Sequence, residues 1–212
     1  MVLSVRYRMV MAVSKPGTRR ARTPSGRSRL AADDWAQAAL VALGDGGLSA
    51  VAIERLATHL GTTKGSFYWH FPNRRALIDA ALARWEQRRT EAVIASMERE
   101  PDPRRRLRRL LVEGMEEAPV DRTEVALLAN AHDPVVAPAL RRVTQRRIDY
   151  LAGLFEQLGL PPADAHRRGL LAYTVYLGFV QLAHAAPGAL PAEPNERQRF
   201  ADGALSALLP PA

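Results

Sequence analysis

The sequence predicts an all-α chain in which a helix-turn-helix module near the N-terminus is followed by a larger helical region. Three observations support this reading. From Asp33 onward apolar residues recur at spacings of three and four, the period of a helix with one buried face. No run of alternating apolar and polar residues is long enough to build a sheet. Between Val51 and His70 two short helical segments meet at Gly61, with a helix before and after them, which is the pattern of a helix-turn-helix.

The segment ahead of the first helix differs in composition from the rest. Residues 1–29 carry eight basic side chains (Arg6, Arg8, Lys15, Arg19, Arg20, Arg22, Arg27, Arg29) and no acidic one. The whole chain has 30 Lys or Arg, 22 Asp or Glu and a net charge of +8 over 212 residues, so the remainder balances at 22 against 22. Arg mixed with Ser, Thr, Gly and Pro reads as a flexible basic arm over 1–29. It is either a plain tail or an arm that lies on DNA, with Arg27 and Arg29 nearest the fold and suited to a minor groove. Met9 and Met11 are alternative initiators to Met1.

Trp35, Ala39, Leu40 and Leu43 define the first helix, which Gly44-Asp45-Gly46-Gly47 is expected to stop. Ile53, Leu56, Ala57 and Leu60 define a second, from about Val51 to Leu60, with Gly61 as its stop. Thr62 and Thr63 offer an N-cap for a third, from Lys64 to about His70. Pro72 and Asn73 then start a longer helix through Ala76, Leu77, Ala80 and Ala81. Beyond about Arg89, Leu107, Leu110, Leu111 and Gly114 mark one amphipathic helix. Leu140, Val143, Ile148, Leu151, Phe155 and Leu158 mark another, and Phe200, Leu205, Leu208 and Leu209 mark a last one. Residues 169–186 are apolar nearly all round, too apolar for a helix with a free face. Burial at an interface between copies is expected there. The rival is a membrane span, flanked by Arg167 and Arg168 but weakened by Thr174, Gln181 and His184.

The third helix has the chemistry that reading DNA requires. A helix entering the major groove presents its N-terminal residues to base edges, so these must be polar or very small. Lys64, Gly65 and Ser66 meet that condition: Lys64 can donate to guanine N7 or O6, Ser66 can donate or accept, and Gly65 permits close approach at the expense of helix propensity. Arg74 falls in the first turn of the following helix, where free N–H groups favour a phosphate. Phe67 and Phe71 read as core. Trp69 either stacks at the groove edge or packs on the first helix.

The run from Gly61 to Leu77 resembles the TetR family of bacterial transcriptional regulators. The family pattern is met at Gly61, Phe67, Tyr68, His70, Phe71, Arg74 and Leu77, and upstream at Ala38, Ala39, Leu43, Gly47, Leu56 and Ala57. Ala52 departs from it, standing where many members begin the second helix with Ser or Thr. The resemblance covers about Leu30 to Arg88. It implies a DNA-binding domain over 30–88 with Tyr68 and His70 on phosphates, so that Thr62, Thr63, Lys64, Gly65, Ser66, Tyr68, Trp69, His70 and Arg74 form the expected DNA surface. It further implies a ligand-binding and dimerisation domain over 89–212, whose last two helices pair with their symmetry mates as a four-helix bundle. The expected partners are a double-stranded, palindromic operator, a second copy of the chain and a small-molecule effector, with no membrane.

Met115, Asn130, His132, Tyr150, Tyr173 and Tyr176 are polar or adaptable residues on otherwise apolar helices, the mixture a pocket needs, and each also has an ordinary reading as a core or surface residue. The arginines from Arg104 to Arg109 alternate with leucines beside Glu98, Glu100, Asp102 and Glu113 and read as a solvated face. The chain has no cysteine and its five histidines lack metal spacing. It has neither a Gly-rich phosphate loop nor a G-x-S-x-G elbow. No enzyme, cofactor or metal is expected, and Arg6 and Arg8 interrupt any export signal, pointing to the cytoplasm. The alternative to a ligand-switched repressor is an architectural DNA-binding or membrane-surface protein driven by the basic arm.

Overall fold

Ten α-helices account for most of residues 30–209, the part of the chain that the computed structural model describes, and no strand occurs among them. The basic arm expected over 1–29, Arg27 and Arg29 included, lies outside the described residues. Helix α1 (Ala32–Ala50) opens with the Ala31 backbone N–H donating to Asp34 Oδ2 at 2.7 Å. It does not stop at Gly44 as expected. Gly44 stays helical, and a Cβ there would lie 3.1 Å from Thr123 Oγ1. The break falls at Gly46 and Gly47, where Gly47 has φ +65°, a conformation costly for any residue with a Cβ.

The module then follows in three pieces: α2 (Ile53–His59), α3 (Lys64–Tyr68) and α4 (Arg74–Glu86). Gly61, at φ +63°, makes the turn between α2 and α3, and the Thr62 N–H bonds back to the Ala57 carbonyl at 2.9 Å. The α3 helix is shorter than the sequence spacing predicts, ending at Tyr68 instead of His70. No side chain caps α2, as Ala52 foreshadows.

Helix α4 runs on through a π-helical turn, Gln87–Glu91, into α5 (Ala92–Met97). The backbone is therefore helical through Arg88 and Arg89, where the sequence places a domain boundary. The first core, built on Trp35, Leu43, Phe67, Leu77, Ile78 and Trp85, also takes in Leu127 of α7 (Thr123–Ala129) and Leu140 and Val143 of α8 (Ala137–Gln157). A second core joins Leu107, Leu111 and Met115 of α6 (Pro103–Glu117) to Leu154 and Phe155 of α8. It extends to Ala172 and Phe179 of α9 (Pro162–Ala185) and Leu205 of α10 (Pro194–Leu208). Helix α7 lies along α1, so the two cores meet through α7 and α8.

The apolar stretch within α9 is covered on one side only. Ala172, Phe179, Val180 and Ala183 are buried, while Leu170, Leu171 and Leu182 are exposed, as is Phe200 on α10. Among the described residues no helix is long and apolar enough to cross a membrane. The arginine run of α6 departs from a solvated face at one position. Arg106 is buried and donates to Glu98 Oε1 at 3.1 Å, whereas Arg108 and Arg109 pair with Asp202 and Glu113 at 2.6 Å.

Helices α8 and α9 form the most extensive pair in the fold, and Gly169 sets how close they lie. A Cβ there would fall 2.8 Å from Ala152 N and 3.0 Å from Ile148 O. Backbone cannot swing aside as a flexible side chain can, so Gly169→Ala must push the helices apart. The expected loss is about 1–3 kcal/mol, measured as a lower urea midpoint. An unchanged midpoint would mean that the pair is free to separate.

Candidate nucleic-acid interface and interior cavity

Two aromatic side chains orient α3. Phe67 is fully buried, with its ring centroid 5.4 Å from Trp35 and 5.8 Å from Phe71, so both phenylalanines lie in the core as expected. With that face held, Lys64, Gly65 and Tyr68 are turned outward. Tyr68 is 54% exposed and Trp69 83% exposed, which resolves the alternative for Trp69 against packing on α1. Thr63 supplies the N-cap, its hydroxyl accepting from Ser66 N at 3.3 Å. Thr62, Ser66 and His70 are half-buried. Next to Gly65, a Cβ would have only Thr63 Oγ1 nearby, at 3.6 Å, so the helix approaches its surroundings on an open side.

Two cations here have partners that the sequence did not disclose. Lys64 Nζ donates to Glu54 Oε1 of α2 at 2.6 Å. The hydrogen bond raises the lysine above its ordinary range and holds the Glu54 carboxyl below its own. Both side chains are exposed, and such pairs exchange readily for other partners. Arg74 Nε donates to the Val51 carbonyl at 2.7 Å and Nη2 to the Leu48 carbonyl. The guanidinium thus ties α4 to the α1–α2 link through two of its five donors. Asn73 caps α4, accepting from Ala76 N at 2.9 Å.

A cavity with about 130 Å³ of water-accessible space lies between α6, α8, α9 and α10, enough for several waters or a small organic group. Leu107, Leu110 and Leu111 form one wall, and Leu151, Phe155, Leu205 and Leu208 form others. Arg89, Thr90, Arg147, Tyr173 and Tyr176 make its polar end. Arg147 Nη1 donates to Glu124 Oε1 at 2.7 Å, Nε to Thr90 Oγ1 at 3.0 Å and Nη2 to the Arg89 carbonyl at 3.1 Å. Its Cζ sits 5.5 Å from the Trp85 ring centre, 6.0 Å from Tyr173 and 5.9 Å from Tyr176, within cation–π range. Burial opposes its charge, but Glu124 and the two phenols outweigh that and its pKa is raised. Burial, and then Glu124, pushes Tyr176 up as well, so it stays a neutral phenol. A Cβ on Gly114 would meet the Tyr176 ring at 3.1 Å, so the missing side chain makes room for that tyrosine.

Residues 37–81 match the model of bacterial regulatory proteins of the tetR family. The tetracycline repressor protein class C of Escherichia coli is 48% identical over 42 residues, which is 20% of this chain and 19% of that repressor. The matched stretch therefore spans about a fifth of that curated relative. Residues 37–81 are therefore a TetR-family segment. Solved structures extend the likeness in fold beyond the matched segment. A transcriptional regulator from Rhodococcus sp. Rha1 superposes with a TM-score of 0.69 at 19% identity, covering 84% of this chain and 96% of the other. A fatty acid degradation regulator from Bacillus halodurans gives 0.61 at 13% identity, covering 83% and 96%.

Of the residues the sequence singled out for a pocket, Tyr150, Tyr173 and Tyr176 line the cavity and Met115, Asn130 and His132 do not. Met115 is core. Asn130 donates to the Ala126 carbonyl at 2.7 Å at the end of α7, next to Gly47, and His132 is exposed. Both lie toward the first core because α7 runs along α1, a tertiary fact that periodicity does not contain. Arg147, Arg89, Thr90 and Glu124 were missed. A signal for Arg147 was present: it continues the stripe Leu140, Val143, Leu151 and Leu154, a place where a charge needs a partner.

The Arg147 side chain is 12% exposed and that of Glu124 only 3%, so Arg147→Met leaves a buried carboxylate without its cation, with only the Tyr176 hydroxyl at 3.5 Å. The expected loss is about 3–5 kcal/mol in urea unfolding. The double variant Arg147→Met/Glu124→Leu should recover most of it. A double variant as unstable as the single one would contradict an ion-pair origin.

Proposed function

We propose that this chain is a homodimeric transcriptional repressor that binds a palindromic operator and is released when a small molecule occupies the cavity between α6, α8, α9 and α10. Its family consists of bacterial regulatory proteins. The observation that carries the DNA-binding part is the orientation of α3. Phe67 and Phe71 take the inner face, leaving Lys64, Gly65, Tyr68 and Trp69 outward beside a Thr63 cap. In this reading Lys64 exchanges Glu54 for a guanine edge, Gly65 and Ser66 allow close approach, and Thr62, Thr63, Tyr68, Trp69 and His70 hold the sugar–phosphate backbone. Arg74 acts through the carbonyls of Leu48 and Val51, setting the angle between α4 and the α1–α2 link.

The exposed apolar face of α9 and α10, with Leu170, Leu171, Leu182 and Phe200, supports a dimer built on these two helices. Gly178 on the same helix has no atom within 4 Å of where a Cβ would be, so another helix can come close there. Two recognition helices must match major grooves about 34 Å apart. A ligand that favours another spacing therefore lowers operator affinity by population shift. The path from the cavity is short: Arg147 bonds Glu124 in the first turn of α7, and α7 packs on α1.

Mobility shift with genomic fragments should give a specific, salt-sensitive complex. Lys64→Ala should weaken it by about tenfold and Tyr68→Phe by about three- to tenfold. Removing residues 1–29 should lower affinity and flatten the salt dependence while leaving the preferred sequence unchanged. Binding that ignores sequence and vanishes with the arm would favour the architectural alternative instead.

A further inference from the structure

We infer that the cavity takes an uncharged, mostly apolar molecule bearing a hydrogen-bond acceptor, such as a ketone, ester or amide, and discriminates against carboxylates of the same shape. The inference rests on the reading of this cavity as the effector site. Arg147 is paired with Glu124 at 2.7 Å, and Arg89 is paired with both Glu117 and Asp121, the latter at 2.9 Å. The acidic Glu113 at the rim is engaged by Arg109 at 2.6 Å. Every charged side chain of the lining therefore already has its counter-ion inside the protein. A carboxylate entering this space would lose water without meeting a free cation, and it would approach Glu124 and Glu117. An ammonium would lose water in the same way and face the two guanidiniums.

The Tyr150 hydroxyl, on a residue that lines the cavity, is buried beside Glu98 and Arg106 but meets neither in good hydrogen-bond geometry. Burial, reinforced by the nearby Glu98 carboxylate, pushes this phenol up to about 12, so at neutral pH it is a donor. A small change in the side chain's χ1 torsion would swing that donor toward a carbonyl oxygen in the cavity, leaving the apolar body against Leu107, Leu111, Leu151 and Phe155. The lining residues of α6 run from Leu107 to Glu117, about 15 Å of helix rise, which suits an elongated body.

Matched probes test this: 2-decanone and methyl 4-phenylbutanoate against decanoate and 4-phenylbutanoate, titrated by calorimetry into the full chain at pH 7.5, with thermal shift in parallel. The neutral member of each pair should bind about tenfold or more tightly than its carboxylate and raise the melting temperature. Tyr150→Phe should weaken the neutral probes about three- to tenfold while leaving the unliganded melting temperature unchanged. Leu110→Trp, which fills the cavity, should abolish binding. Carboxylates that bind as well as their neutral partners, no binding of either neutral probe at about 1 mM, or binding indifferent to both substitutions would each overturn the inference. The operator complex separates this outcome from the regulatory reading. A neutral probe that binds yet leaves the complex intact keeps the ligand class and removes ligand release. A carboxylate that dissolves the complex does the reverse.

Discussion

The Arg147–Glu124 pair joins parts of the chain that would otherwise have few reasons to keep a fixed relation. Arg147 stands on α8, Glu124 opens α7, and the Thr90 hydroxyl and Arg89 carbonyl belong to the π-helical turn that follows α4. A π-helical turn relaxes the regular ladder and leaves a carbonyl available, and a guanidinium has five donors in a fixed fork with which to use it. The Trp85 ring under the guanidinium belongs to the first core, and Tyr173 and Tyr176 belong to α9. One side chain thus touches the last helix of the DNA-binding segment, the helix that packs on α1, and the walls of the cavity. Its charge makes this relation specific, because a buried guanidinium tolerates few other arrangements of its partners.

The surface at α3 is organised differently. Nothing buried and charged holds it; two phenylalanines and a threonine cap suffice. Its polar side chains are exposed and can exchange partners, as the Lys64–Glu54 pair illustrates. Rigid anchoring on one face and adaptable polar groups on the other suit the DNA contact proposed for this surface. Arg74 contributes to the rigid side, since two of its donors engage the Leu48 and Val51 carbonyls next to the Gly46–Gly47 break.

Much of this was legible in the sequence for local reasons. Helical periodicity, the Gly61 turn, the Thr63 and Asn73 caps and the inward faces of Phe67 and Phe71 all follow from residues within a few positions of one another. The lengths were less legible, because α1 continues through Gly44 on the strength of its packing against α7 and α3 ends two residues early. The cavity was half legible. Tyr150, Tyr173 and Tyr176 stand out as polar groups on apolar helices, but so do Asn130 and His132, which belong elsewhere.

By itself the sequence determined the helical class, the helix-turn-helix and the polar character of the start of α3, since these depend on propensity, capping and short-range pattern. Only the tertiary structure decided that Arg147 pairs with Glu124, that Arg74 is tied to carbonyls 23 and 26 positions away, and that Trp69 stays in solvent. It also decided that α9 keeps an open apolar face. The partner of a charged side chain and the side of a helix left uncovered depend on how distant elements pack, and no local rule encodes that distance.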